Sequence, residues 1–444
     1  MLKRYGIIWM IIISLGLLGR TGETGSWKEQ VREFQLANGL KVLLLEEHKA
    51  PIITLQIWYR VGSRNEQLGK TGISHLLEHM MFKGTARYPD FSRTIQRLGG
   101  SDNAFTARDY TAYFENMPRG EIEVALAMEA DRMQHLRFDP QEVAKEREVV
   151  KEERRLRTDT DPVSSLFEQV EAIAFIAHPY MWPIIGWISD LDGITPQDLA
   201  AYYQTYYRPN NATLIAVGDF QSEALLQKIR HYFAPIPAGP PPPPVRSVEP
   251  PQQGERRVIL QREAQLPFVA IGYHVPNLST QDGYILEIIK AILSQGKSSR
   301  LYQNLVYKRQ LALFAGADYS LLSADPSLFI LYAQVFPKQP PAEVEQALLA
   351  ELERLQQKAV APEELQKAKN QLEASFIFAQ DSIFYRAMLL GQYATAADWS
   401  LLDHYLPAIR KVTPQDIRRV AQRYFTAENR TVGVLRPAGG KEGM

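Results

Sequence analysis

ITPQDLAAYYQTYYRPNNATLIAVG, residues 194–218, recurs in altered form as VTPQDIRRVAQRYFTAENRTVGVL, residues 412–435. Asp198 matches Asp416, Tyr206 matches Tyr424, Asn211 matches Asn429 and Thr213 matches Thr431, all at an offset of 218 (416 − 198). Near the start of each half, KVLLLEEHKAPIITLQIWY from Lys41 is similar to RVILQREAQLPFVAIGYHV from Arg257, and Pro51 meets Pro267 at an offset of 216 (267 − 51). Two segments that agree in order and nearly in offset indicate an internal duplication. In both copies the Thr-Pro-Gln-Asp start is a helix N-terminus, with Thr195 or Thr413 as N-cap and proline in the first turn.

Working outward, runs of β-branched and aromatic residues at 42–45, 52–59, 258–260 and 268–273 predict strands. Helical periodicity predicts helices over 121–135, 142–157, 341–358 and 362–380. The chain thus reads as α+β, with two homologous domains, each a mainly antiparallel sheet packed with helices. PIPAGPPPPPVRSVEPPQQG, residues 235–254, separates them, because consecutive prolines block helix and favour an extended, semi-rigid segment. The expected limits are residues 30–234 for the first domain and 255–437 for the second. Residues 1–25 carry Lys3, Arg4 and an apolar run to about Leu18, the layout of a secretory signal. That run is shorter than the roughly 20 apolar residues a bilayer span requires. A cleaved signal is therefore expected, with an uncleaved N-terminal anchor as the alternative and an exported, periplasmic or extracellular location.

Lys plus Arg and Asp plus Glu each number 50 in 444 residues, so no global field favours nucleic acid or an anionic membrane. Membrane contact is expected only through the N-terminus. With no cysteine, thiolate ligands, disulfides and a cysteine nucleophile are excluded, and any metal must be held by His, Asp and Glu.

Within GISHLLEHMMFKG, residues 72–84, His75, Glu78 and His79 share one helical face while Leu76, Leu77, Met80 and Met81 point elsewhere. Imidazoles one turn apart can reach a single Zn²⁺ at about 2.0–2.1 Å, and a neighbouring carboxylate can accept a proton from water. The competing reading is the polar face of an ordinary amphipathic helix. A third ligand is sought in PQEVAKEREVVKEERRLR, residues 140–157, where Glu146, Val149, Val150 and Glu153 form one stripe. Glu152 is an alternative, and a solvated charged helix is the plain reading of the run.

These two motifs, with NAFTARDYTAYFENMP at 103–118, HPYMWPIIG at 178–186 and SSRLYQ at 298–303, resemble the inverzincin metallopeptidases of the pitrilysin and insulinase (M16) family. They resemble especially the short two-domain branch that includes mitochondrial processing peptidase β-subunits. The resemblance implies one Zn²⁺ per chain, with His75, His79 and Glu153 as ligands, Glu78 as general base and Glu146 orienting a liganding histidine. It also implies that Asn103, Ala104, Phe105 and Thr106 form an edge strand pairing with extended peptide by β-augmentation, inside a chamber that admits unfolded substrates.

One departure stands out. Active relatives carry an arginine and, seven positions later, a tyrosine after the SSRL-like segment, whereas alignment on Ser298 to Leu301 puts Val306 and Leu313 there. Neither side chain donates a hydrogen bond. Arg300 and Tyr307 share the spacing but are out of register. The expectation is a zinc-bearing subunit whose homologous, non-zinc partner supplies the arginine and tyrosine, with a homodimer as the alternative. A non-catalytic peptide-binding scaffold or assembly subunit is the rival function.

Overall fold

The computed structural model describes residues 26–438, so the apolar N-terminal segment lies outside the described residues. Six strands form the first sheet: β1 (Val31–Gln35), β2 (Lys41–Glu46), β3 (Ile52–Tyr59), β4 (Ser101–Thr106), β5 (Thr111–Pro118) and β6 (Ala212–Gly218), ordered β1-β2-β6-β3-β5-β4. The second sheet holds β7 (Arg256–Arg262), β8 (Phe268–Val275), β9 (Ala312–Asp318), β10 (Ser327–Val335) and β11 (Arg430–Pro437), ordered β7-β11-β8-β10-β9. Each sheet has one parallel pair, β2 with β6 and β7 with β11, and is otherwise antiparallel.

The repeated 194–218 and 412–435 stretches end in β6 and β11, which lie at equivalent places, β6 between β2 and β3 and β11 between β7 and β8. Their shared residues have shared physical roles. Thr195 and Thr413 each form a capping box with Asp198 and Asp416, satisfying donors at the helix N-terminus. The Asn211 and Asn429 amides donate to the carbonyls of Tyr206 and Tyr424, at 2.9 and 2.8 Å, closing the helix-to-strand turn in both halves.

The two halves exchange helices. The Pro162–Ala174 helix of the first half lies on the second sheet, where Leu166 and Val170 pack with Phe268, Ala270 and Leu435. The Ile383–Ala396 helix of the second half lies on the first sheet, where Ala387, Leu390 and Tyr393 pack with Trp58, Leu43 and Ile215. Both contacts are close enough to require glycine. A Cβ at Gly391 would meet Trp58 Cε2 at 2.0 Å, and one at Gly433 would meet Val170 Cγ2 at 2.3 Å.

The proline-rich segment runs without regular secondary structure but is tied down, because Glu249 accepts the backbone N–H groups of Ile176, Ala177 and His178. Among the described residues no helix is long and apolar enough to cross a membrane. Two local readings change. The helix expected to reach Arg157 is α-helical over Pro140–Arg154 and continues as a π-type turn over Arg155–Asp159. Val149 does not share the inward stripe: it is 50% exposed while Val150 is fully buried, because a 100° step from Val150 carries it to the helix flank.

Candidate metal centre

Helix Ile73–Met81 begins at Gly72, whose φ of +88° suits glycine, and a Cβ there would meet the Ile185 carbonyl at 2.5 Å. Its first turn is satisfied from outside the helix: Glu66 accepts the N–H of Gly72 at 2.7 Å and of Ser74 at 2.8 Å. Leu76, Leu77, Met80 and Met81 are fully buried and anchor the opposite face. That anchoring turns His75, Glu78 and His79 towards helix Pro140–Arg154 and β4.

His75, His79 and Glu153 each place one donor atom so that all three lie within 4.8 Å of one another. Glu153 Oε2 is 3.3 Å from His79 Nε2 and 3.8 Å from His75 Nε2. Donors bonded tetrahedrally at about 2.1 Å sit about 3.4 Å apart, so the residues present fit a zinc ion. Two neutral imidazoles and one carboxylate are also a hard-to-borderline donor set that zinc accepts, with a position left for water or substrate.

The surroundings act in opposite directions on the two histidines. Burial, with His79 and Arg157 close by, pushes His75 down to about 3, so it is neutral and has a lone pair to offer. Burial alone would lower His79 as well, but its hydrogen bond to Glu146 and the charges of Glu78, Glu146 and Glu153 move it up. His79 Nδ1 donates to Glu146 Oε1 at 2.9 Å, which leaves Nε2 facing Glu153. Lys83 contacts the other Glu146 oxygen, and these two partners outweigh burial and hold the Glu146 carboxyl below its ordinary value. Burial raises Glu78, opposed by the hydroxyl of Thr106, which donates to Oε2 at 2.6 Å.

β4 is an edge strand that pairs only with β5 in this sheet. Asn103, Ala104, Phe105 and Thr106 border the same cavity of about 720 Å³ as His75, Glu78, His79 and Glu153. The nine predicted residues therefore meet in one place, with Glu146 just behind His79. Glu152, the alternative ligand, is turned outward, exposed and paired with Arg155. Arg300 is locked to Glu364 through two hydrogen bonds of 2.8 and 2.7 Å, and Tyr307 is exposed.

Sequence reasoning missed Lys83, Arg157 and Glu66. Lys83 and Arg157 follow His79 and Glu153 by four residues, a helical spacing that could have flagged both. Arg157 Nη1 reaches Glu153 Oε1 at 2.7 Å, so one carboxylate oxygen is engaged and Oε2 is directed at the histidines. Glu66 lay outside any periodic pattern.

The chain is similar to proteins named zinc proteases. Residues 41–186 match the family model described as insulinase (peptidase family M16), and residues 193–372 match that of the peptidase M16 inactive domain. The zinc protease PqqE of Helicobacter pylori is 32% identical over 434 residues, covering 96% of this chain and 97% of that protein. The crystal structure of a protease from Helicobacter pylori is 33% identical and superposes with a TM-score of 0.89 over 92% of this chain and 99% of that one. The periplasmic protease PqqL of Escherichia coli, 20% identical, has the same fold with a TM-score of 0.77. It covers 92% of this chain, which spans only 48% of that longer molecule.

Proposed function

The chain belongs to the M16 peptidase family, and from that premise we propose that it is a zinc-dependent endopeptidase that hydrolyses unfolded peptides or processing segments in an enclosed chamber. The observation that carries this reading is the convergence of His75, His79 and Glu153 beside the buried carboxylate of Glu78. We assign one Zn²⁺ per chain to the three ligands, the general-base role to Glu78, and the orientation of His79 to Glu146. Zinc held there supplies Lewis-acid polarisation of the scissile carbonyl and acidifies a water molecule.

The side chains do the rest. Glu78 takes the proton of the attacking water and returns it to the departing amine. Thr106 engages Glu78 Oε2, and Oε1 is the oxygen we assign to that transfer. The free edge of β4 receives the substrate backbone at Asn103 to Thr106, aligning an extended peptide along the ligands without strict sequence dependence.

A homologous partner completes the site in this proposal. Val306 and Leu313 stand where donors to the substrate are expected, and Arg300 is committed to Glu364. That the same fold forms about half of a longer chain supports a second unit beside this one. We keep the division into residues 30–234 and 255–437, joined by 235–254, as the domain plan. Export to the periplasm or beyond is proposed from the N-terminal pattern and from the similarity in fold to the periplasmic protease PqqL of Escherichia coli.

The test is Glu78→Gln with zinc and peptidase assays, run with and without a co-expressed homologue. The expected result is full zinc occupancy and cleavage reduced by about 10²–10⁴. Retained activity would remove Glu78 from the mechanism, and metal-free protein that still binds peptide would favour the scaffold reading.

A further inference from the structure

Thr106, which holds Glu78, is the last residue of β4, and the turn that follows it is gripped from three sides. Ala107 and Arg108 accept from the backbone N–H groups of Ser63 and Arg64, at 3.2 and 2.8 Å, with Gly62 passing so close that a Cβ would stand 2.2 Å from the Ala107 oxygen. Asp109 Oδ2 accepts the N–H of Ala324, in the second half, at 3.0 Å. Tyr180 bridges the halves: its hydroxyl donates to Asp109 at 2.7 Å and accepts the N–H of Asp325 at 3.2 Å.

Asp325 in turn accepts from Arg64 and from His178 Nε2, the latter at 3.0 Å. The Tyr180 N–H donates to His178 Nδ1, so the proton of this buried histidine lies on Nε2, aimed at Asp325. Asp109 and Asp325 sit on corresponding hairpin turns, each two residues ahead of its strand, β5 or β10, and 216 positions apart (325 − 109). The two turns of the duplicated sheets therefore meet tip to tip, and the 178–180 segment supplies the cross-links.

We propose that Asp109, Tyr180 and Asp325 form a strut between the halves that sets β4 against Glu78, making them positioning residues for peptide binding. The strut explains why polar groups are concentrated at this junction when the exchanged helices already join the halves through apolar packing. Its bonds are part-buried around the buried Tyr180 and His178, where a lost partner leaves a polar group less well satisfied. Movement of the Asp109 turn is transmitted through the two intervening residues, Ala107 and Arg108, to Thr106, and with it to the edge that receives substrate. The inference rests on the reading of β4 as the peptide-binding strand.

Tyr180→Phe removes one hydroxyl and keeps the ring, and Asp325→Asn keeps the shape of the side chain. In the Glu78→Gln background, binding of a fluorescein-labelled casein peptide is measured with zinc content and with hydrogen exchange of residues 101–110 and 73–81. Expected are binding about tenfold weaker, equivalent to about 1.4 kcal/mol, faster exchange in 101–110, and unchanged zinc and exchange in 73–81. In the active enzyme the same substitutions raise KM and leave kcat within about twofold. Unchanged peptide binding in both folded variants overturns the proposal. If the unsubstituted Glu78→Gln chain binds no peptide, the β4 reading falls, and unchanged exchange at 101–110 would separately remove the strut.

Discussion

Glu146→Ala is the most informative perturbation of the proposed metal centre, because Glu146 is not among the proposed ligands and yet faces one of them through a 2.9 Å hydrogen bond to His79 Nδ1. The carboxylate fixes the tautomer that leaves Nε2 for the metal, and its charge makes the imidazole a better donor. Partners of this kind alter metal affinity by about 10- to 100-fold, or about 1.4–2.7 kcal/mol. Glu146→Gln retains an acceptor for the Nδ1 proton and loses only the charge, so it belongs at the lower end. Glu146→Ala also leaves Lys83 without its carboxylate, which places it at the upper end. Affinity is read by competition with a chromophoric chelator, and stability by melting with and without zinc. At free zinc 1,000 times Kd, zinc stabilises the fold by about 4.1 kcal/mol, and a tenfold affinity loss reduces that to about 2.7 kcal/mol. Unchanged zinc affinity in a Glu146→Ala protein whose zinc-free melting is also unchanged would refute the orienting role.

Gly391→Ala drives a methyl group into the Trp58 ring, and an overpacked site of this kind costs about 1–3 kcal/mol, seen as a lower denaturant midpoint. Equal stability would mean that the Ile383–Ala396 helix does not sit on the first sheet. A protease site inserted among residues 240–244 is expected to give a nicked chain whose halves still co-elute, since each half covers the other's sheet; separation of the fragments would contradict the exchange. Burial pushes Glu66 up to about 8, against the N–H groups of Ser74 and Gly72 that pull it down. The folded chain therefore keeps a proton that the unfolded chain releases near 4.5, so this group's contribution is complete below 4.5 and is lost as pH rises through about 8. Glu66→Gln should flatten that part of the melting-temperature profile, and an identical slope would show that Glu66 does not titrate there.

The sequence by itself determined the duplication, most strand and helix positions and the candidate ligands. Those features depend on local regularities: a Thr-x-x-Asp cap, a period of two or 3.6, and two histidines one helical turn apart. Even Arg157 and Lys83 were within reach of the same rule. Helical spacing left Glu152 and Glu153 both open and only the family resemblance favoured Glu153; tertiary structure shows which one faces the histidines, because residues 100° apart on one helix are separated only by what each faces, and with Arg154 and Val150 buried Glu153 points inward. It also decided the helix exchange and the meeting of the Asp109 and Asp325 turns, contacts between residues far apart in the chain, 216 positions (325 − 109) for the two aspartates. No local period encodes such a contact. It arises because each sheet exposes an apolar face that its own half does not cover, and burying both faces brings the two turns together.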